Sequence, residues 1–360
     1  MAALRHGDPR RWLAQVYPWV KAPFIVGAPM RVMSGPQLAV AVSSAGGLGF
    51  IGPTLKVEDL FSDLQKAEGL IQSSSIASLT QRSTTALLPI GVGFQIWNGD
   101  LKVALSAVQE HRPCAVWLFA PRHGQNELND WTTGILEASP ETQIWIQVGT
   151  LGEAVEAVRS STPPHVLVIQ GAEAGGHGRA KDGMGTIALF PEIADATRES
   201  GIPLIAAGGI MDGRGVAAAL SLGAAGVAMG TRMLAATETR ISKGYQNEIL
   251  RATDGAASTV RTQLYNHLRG TFGWPEQYSP RGLINKSWVD HQNGVSFDEL
   301  KHHHDEAVKS GDAGWGPEGR LATYAGGAVG LVHSVDPAGV IVESVREEAK
   351  NIVLSLASAL

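Results

Sequence analysis

One imidazole sits in a run of glycines, Gln170-Gly171-Ala172-Glu173-Ala174-Gly175-Gly176-His177-Gly178. Glycine there lets the chain fold over a ligand and set His177 against it. Two more glycine turns, Ala207-Gly208-Gly209-Ile210 and Met229-Gly230-Thr231-Arg232, offer clustered backbone N–H groups, and Thr231 adds a hydroxyl. Such clusters suit a phosphate. A fourth cluster, Gly27-Ala28-Pro29-Met30, has the small residues and the proline that let backbone approach a planar ligand. The combination points to a phosphorylated ligand with a flat ring, such as flavin mononucleotide, beside a proton-handling histidine.

Each cluster follows a short apolar run. Eight such runs are predicted as strands: Phe24 to Ala28, Gly47 to Ile51, Leu88 to Gly93, Ala115 to Phe119, Gln143 to Val148, Val166 to Ile169, Pro203 to Ala207 and Gly226 to Met229. The stretches between them read as crossover helices: Gly35 to Ala45, Val57 to Ile71, Leu101 to His111, Gln125 to Ala138, Leu151 to Ser160, Ile187 to Ser200 and Gly213 to Leu222. Eight strands alternating with helices predict an α/β fold, a (β/α)8 TIM barrel, whose chemistry belongs at the C-terminal strand ends. The alternation stops after Arg232. Residues 239–321 read as an inserted, mainly helical lid subdomain after the eighth strand, between a barrel over 1–238 and a return with a closing helix over 322–360. In the sixth loop, Lys181, Asp182, Gly183 and Gly185 suggest a mobile flap.

Composition narrows the class. A net charge of −5 lacks the basic excess that nucleic acid or an anionic membrane demands, so the expected partner is a small molecule. No window reaches the ~18 apolar residues of a membrane span, and the N-terminal Arg5, Arg10 and Arg11 are followed by no signal-like apolar stretch. The lone Cys114 suits a reducing compartment, so the chain is expected in the cytoplasm. Ser358-Ala359-Leu360 departs from the peroxisomal Ser-Lys-Leu address at its middle position, which leaves import there open. His302-His303-His304 invites a metal reading, but adjacent side chains share no helix face, so no metal is expected.

Ala28-Pro29-Met30, Ser44 through Gly52, Gln170 through His177, Ala206 through Ile210 and Met229 through Arg232 together resemble the nitronate monooxygenase family, formerly 2-nitropropane dioxygenases. The resemblance runs from Pro23 to about Glu238 and implies an FMN-dependent barrel enzyme that oxidises alkyl nitronates or nitroalkanes with O2, giving a carbonyl compound and nitrite. His177 matches the family's catalytic histidine. It would take the α-proton of a nitroalkane or hydrogen-bond the nitronate, and either role calls for a nitrogen titrating near neutrality. Ala28, Pro29 and Met30 would lie along the isoalloxazine, with Gln95, Gln147 and Gln170 on its polar edge. Gly175, Gly176, Gly208, Gly209, Gly230 and Thr231 would hold the phosphate end.

The Glu-Ala-Gly-Gly-His segment is shared with FMN-dependent enoyl-acyl carrier protein reductases. An NAD(P)H-dependent flavin reductase acting on an enoyl thioester, a quinone or a biosynthetic intermediate is therefore the alternative, and a barrel that only binds its flavin is a third reading. Trp274, Tyr278, Trp288 and Trp315 in the insertion are candidates for the pocket's apolar lining, although packing of the insertion's own core is the commoner use of such residues.

Overall fold

The computed structural model describes residues 8–56, 58–78 and 87–359; Arg5, Val57 and Leu360, invoked above, lie outside them. Eight parallel strands close into a barrel: β1 (Phe24–Gly27), β2 (Leu48–Ile51), β3 (Leu88–Gln95), β4 (Pro113–Phe119), β5 (Gln143–Val148), β6 (Val166–Gln170), β8 (Leu204–Ala207) and β9 (Gly226–Met229). β9 pairs with β1 from Phe24↔Gly226 to Gly27↔Met229, which seals the sheet and leaves the barrel no edge. The predicted strands all form, each within about two residues of its expected bounds.

Two layers hold the barrel. Its outer strand faces carry Ile25, Ile90, Val116, Ile146 and Leu167, which pack with α2 (Pro36–Ser44) and the other crossover helices in one continuous core. Inside, Trp145 is stacked on Trp117 at 5.9 Å between ring centroids and meets Phe50 edge-on at 5.3 Å. A helix not expected from sequence, α1 (Pro9–Val16), brings Tyr17 into this interior cluster, where its hydroxyl accepts a 2.9 Å hydrogen bond from Trp145 Nε1. Asp8 caps α1 by accepting from Arg10 N–H, and Pro9 opens its first turn. The closing helix, Ala338–Ala359, follows as expected and packs on α2 and on the Gly213–Ser221 helix. Its buried Arg346 donates to the carbonyls of Ala45 and Gly46 at 3.1 and 2.8 Å.

The insertion is mainly helical, as expected, and adds a small sheet that the sequence did not announce. Residues 239–321 do carry helices, among them Lys243–Arg251 and Phe297–Lys309, but also two strands, β10 (Thr259–Arg261) and β11 (Tyr278–Leu283). They form an antiparallel sheet with β7 (Gly176–Arg179), in the order β10-β11-β7. The segment bearing His177 is thus a paired strand, with His177 opposite Pro280, and not the start of a free flap. The loop beyond it is pinned too, because Arg179 bridges Glu153 at 2.7 Å and Asp182 at 2.5 Å.

Candidate active site

Every catalytic and cofactor-binding residue proposed from sequence lines one cleft at the C-terminal mouth of the barrel: Ala28, Pro29, Met30, Gln95, Gln147, Gln170, Gly175, Gly176, His177, Gly208, Gly209, Gly230 and Thr231. The cleft opens to solvent, and with its mouth included it spans about 1220 Å3. Its floor is made by strand ends. Gly208 and Gly209 adopt φ of +100° and +75°, left-handed values that turn the chain outward after β8. The N–H groups of Gly208, Gly209 and Gly230 form no hydrogen bond among the described residues, which leaves them to a ligand. Thr231 Oγ1 accepts from Gly326 N–H at 3.0 Å, so its own hydrogen remains to be donated.

The amides are not equivalent. Gln147 Oε1 accepts from Trp117 Nε1 at 3.0 Å, and Gln170 Nε2 donates to the carbonyl of His177 at 3.3 Å. Gln95 has no side-chain partner among the described residues. Glu173, inside the histidine segment, does no chemistry in the cleft: its carboxylate accepts from Thr186 N–H at 2.9 Å and from the Thr186 hydroxyl, capping the Thr186–Thr197 helix.

Four residues that the sequence reading did not single out, Arg31, Arg261, Asn266 and Arg269, build the histidine's surroundings. Arg261, on β10, donates to the carbonyls of Ala172, Ala174, Gly176 and Ser279, binding the glycine segment from behind. Asn266 Nδ2 lies 2.9 Å from His177 Nε2, and Asn266 Oδ1 accepts from the Tyr324 hydroxyl at 3.0 Å. Arg31 and Arg269 line the same cleft and form no ion pair among the described residues. The proximity of these insertion residues to His177 carries no sequence motif, because strand pairing between segments ~100 residues apart creates it. Of the four aromatics proposed for the lining, only Trp274 reaches the cleft; it lies flat on His177, ring centroids 3.6 Å apart and planes 10° from parallel. Tyr278 packs edge-on against Phe119, and Trp315 and Trp288 pack inside the insertion.

Electrostatics correct one more expectation. Burial, then the positive charges of Arg261 and Arg31, push His177 down to about 3, far below the neutral range expected of it. The hydrogen bond from Asn266 and the Arg269 charge are smaller influences. The ring is neutral at physiological pH.

Comparison with known proteins agrees with this geometry. Residues 133–271, which span β5 to Asn266, Arg269 and Thr271, match the family model described as nitronate monooxygenase. Over all 360 residues, and the whole of the other chain, the protein is 67% identical to nitronate monooxygenase npaC of Metarhizium robertsii. The chain belongs to the nitronate monooxygenase family. A nitronate monooxygenase of Neurospora crassa is 36% identical, over 93% of this chain and 91% of its own. Among solved structures, FabK from Thermotoga maritima superposes with a TM-score of 0.71 at 25% identity, covering 97% of this chain and 99% of its own. Nitronate monooxygenases are flavin-dependent oxidoreductases. The cleft at the barrel mouth is where such an enzyme keeps its chemistry.

Proposed function

We propose that the protein is an FMN-dependent nitronate monooxygenase that converts alkyl nitronates and O2 to a carbonyl compound and nitrite. The observation that carries this reading is the neutral His177 set beside two cationic side chains, Arg31 and Arg269, that have no acidic partner among the described residues, in the cleft of a barrel of this family. A nitronate is the anionic conjugate base of a nitroalkane, and two guanidiniums not neutralised by a carboxylate among the described residues favour an anion.

The residues present fit FMN. Gly208, Gly209 and Gly230 supply unspent N–H donors and Thr231 a hydroxyl for a phosphate dianion. Ala28, Pro29 and Met30 offer a flat, mostly apolar wall, and Gln95 an uncommitted amide for the polar ring edge. When bound, the flavin supplies the redox chemistry that links substrate oxidation to O2. His177 and the arginines then hold the nitronate oxygens, while Trp274 covers the ring and limits water around them.

Anaerobic absorbance of the purified protein tests the reading, with ethyl nitronate added to one cuvette and NADPH to another. The expected result is a flavin spectrum perturbed by the nitronate and unchanged by NADPH. Bleaching by NADPH alone would move the protein to the reductase class, and a spectrum without flavin would overturn the cofactor. Among the described residues no helix is long and apolar enough to cross a membrane.

A further inference from the structure

The hydrogen-bond chain behind His177 has only one consistent direction. It begins at a backbone carbonyl, Tyr278 O, which can only accept; Gln263 Nε2 lies 2.6 Å from it and donates. That turns Gln263 Oε1 toward Asn266, whose Nδ2 donates to it at 2.7 Å. The amide of Asn266 is thereby oriented with Nδ2 also toward His177 Nε2 and Oδ1 toward the Tyr324 hydroxyl, which donates to it. An amide nitrogen has no lone pair to offer, so His177 Nε2 must be the acceptor. In a neutral imidazole the proton then resides on Nδ1. Nδ1 has no protein partner among the described residues and is not one of the side-chain nitrogens sealed from the cleft.

We propose that Asn266 is a positioning residue that fixes His177 as the Nδ1–H tautomer, so that the histidine meets its ligand as a hydrogen-bond donor and not as a base. This rests on the nitronate reading above for its substrate and deepens it. A donor at Nδ1 can bind an oxygen of an anionic nitronate; it holds no lone pair with which to remove the α-proton of a neutral nitroalkane. The groups facing the ring are Arg31 after β1, Arg261 on β10, Arg269 and Tyr324, with Trp274 on one face. Three cations and, among the described residues, no carboxylate face it; together with burial they outweigh the Asn266 contact, the one influence that raises its proton affinity.

The test begins with the unaltered holoenzyme. Long-range proton–nitrogen spectra of protein labelled with 15N-histidine, with His177 assigned by its absence in His177→Gln, distinguish the two tautomers and the cation. The expected result is a protonated Nδ1 and a bare Nε2 from about pH 5.5 to about pH 9. A protonated Nε2, or titration of His177 near neutrality, would overturn the proposal whatever the substrate proves to be. The second arm compares kcat/KM on ethyl nitronate with kcat/KM on nitroethane. In Asn266→Asp a carboxylate accepts from Nε2–H, frees Nδ1 as a base, and should shift that ratio toward nitroethane by at least about 10-fold; Asn266→Leu should shift it less. An unchanged ratio in both folded, flavin-loaded variants removes the positioning role. If the unaltered enzyme ignores ethyl nitronate, the substrate reading fails, and the tautomer spectrum still decides the role of Asn266.

Discussion

His177 is ringed by cations yet carries no charge of its own. It binds a proton only near pH 3 in the folded chain, against an ordinary value of 6.5, chiefly because it is buried. Between those values the unfolded chain holds the extra proton, so stability rises with pH from about 3 to 6.5 and levels off above. Melting temperatures recorded across that window should climb less steeply in His177→Gln than in the parent. Turnover of nitronate should fall by about 100-fold in His177→Asn while the flavin stays bound, measured by oxygen uptake and by absorbance. The placement of this residue in the cleft was legible in sequence, because a lone imidazole in a glycine run after a predicted barrel strand falls at the barrel mouth. Its protonation was not legible, since that depends on Arg31, Arg261 and Asn266 arriving from distant segments.

Among the elements, the three-stranded sheet of β7, β10 and β11 matters most to the site. Its keystone is Arg261, whose guanidinium serves four carbonyls and has no acidic partner among the described residues; burial and the charge of Arg281 push its pKa down to about 10. Arg261→Met should destabilise the chain by about 2–4 kcal/mol and loosen flavin retention, read by urea unfolding and by cofactor content after gel filtration. Barrel strands and crossover helices were legible from apolar runs and their spacing, since each is a local pattern. This sheet was not: Gly176–Arg179 is rich in glycine and carries no alternation, so only its pairing with Tyr278–Leu283 makes it a strand. The flap expected from Lys181 to Gly185 is likewise held by the Arg179 ion pairs.

Over the whole molecule, the barrel has a closed base and a working mouth. Tyr17 and Trp145 plug the base, buried in one aromatic cluster with Phe24, Phe50 and Trp117. Trp145→Ala should cost about 3–5 kcal/mol, and Tyr17→Phe, which strands the buried indole N–H, about 1–2 kcal/mol. Both are measured by chemical denaturation, and Tyr17→Phe should leave nitronate kinetics unchanged, because it lies at the opposite end from His177.

The division of labour at the mouth has an evolutionary reading. The cradle proposed for the phosphate is built from strand-end turns of the barrel, whereas Asn266, Arg269 and Trp274, which surround His177, come from residues 239–321, a roof over the cleft. A lineage can therefore retain one cofactor while exchanging the roof, and acquire new substrates without reinventing the redox centre. Divergence among relatives should concentrate between β9 and the closing helix, and a chimera that transplants that segment should inherit its donor's substrate range along with it.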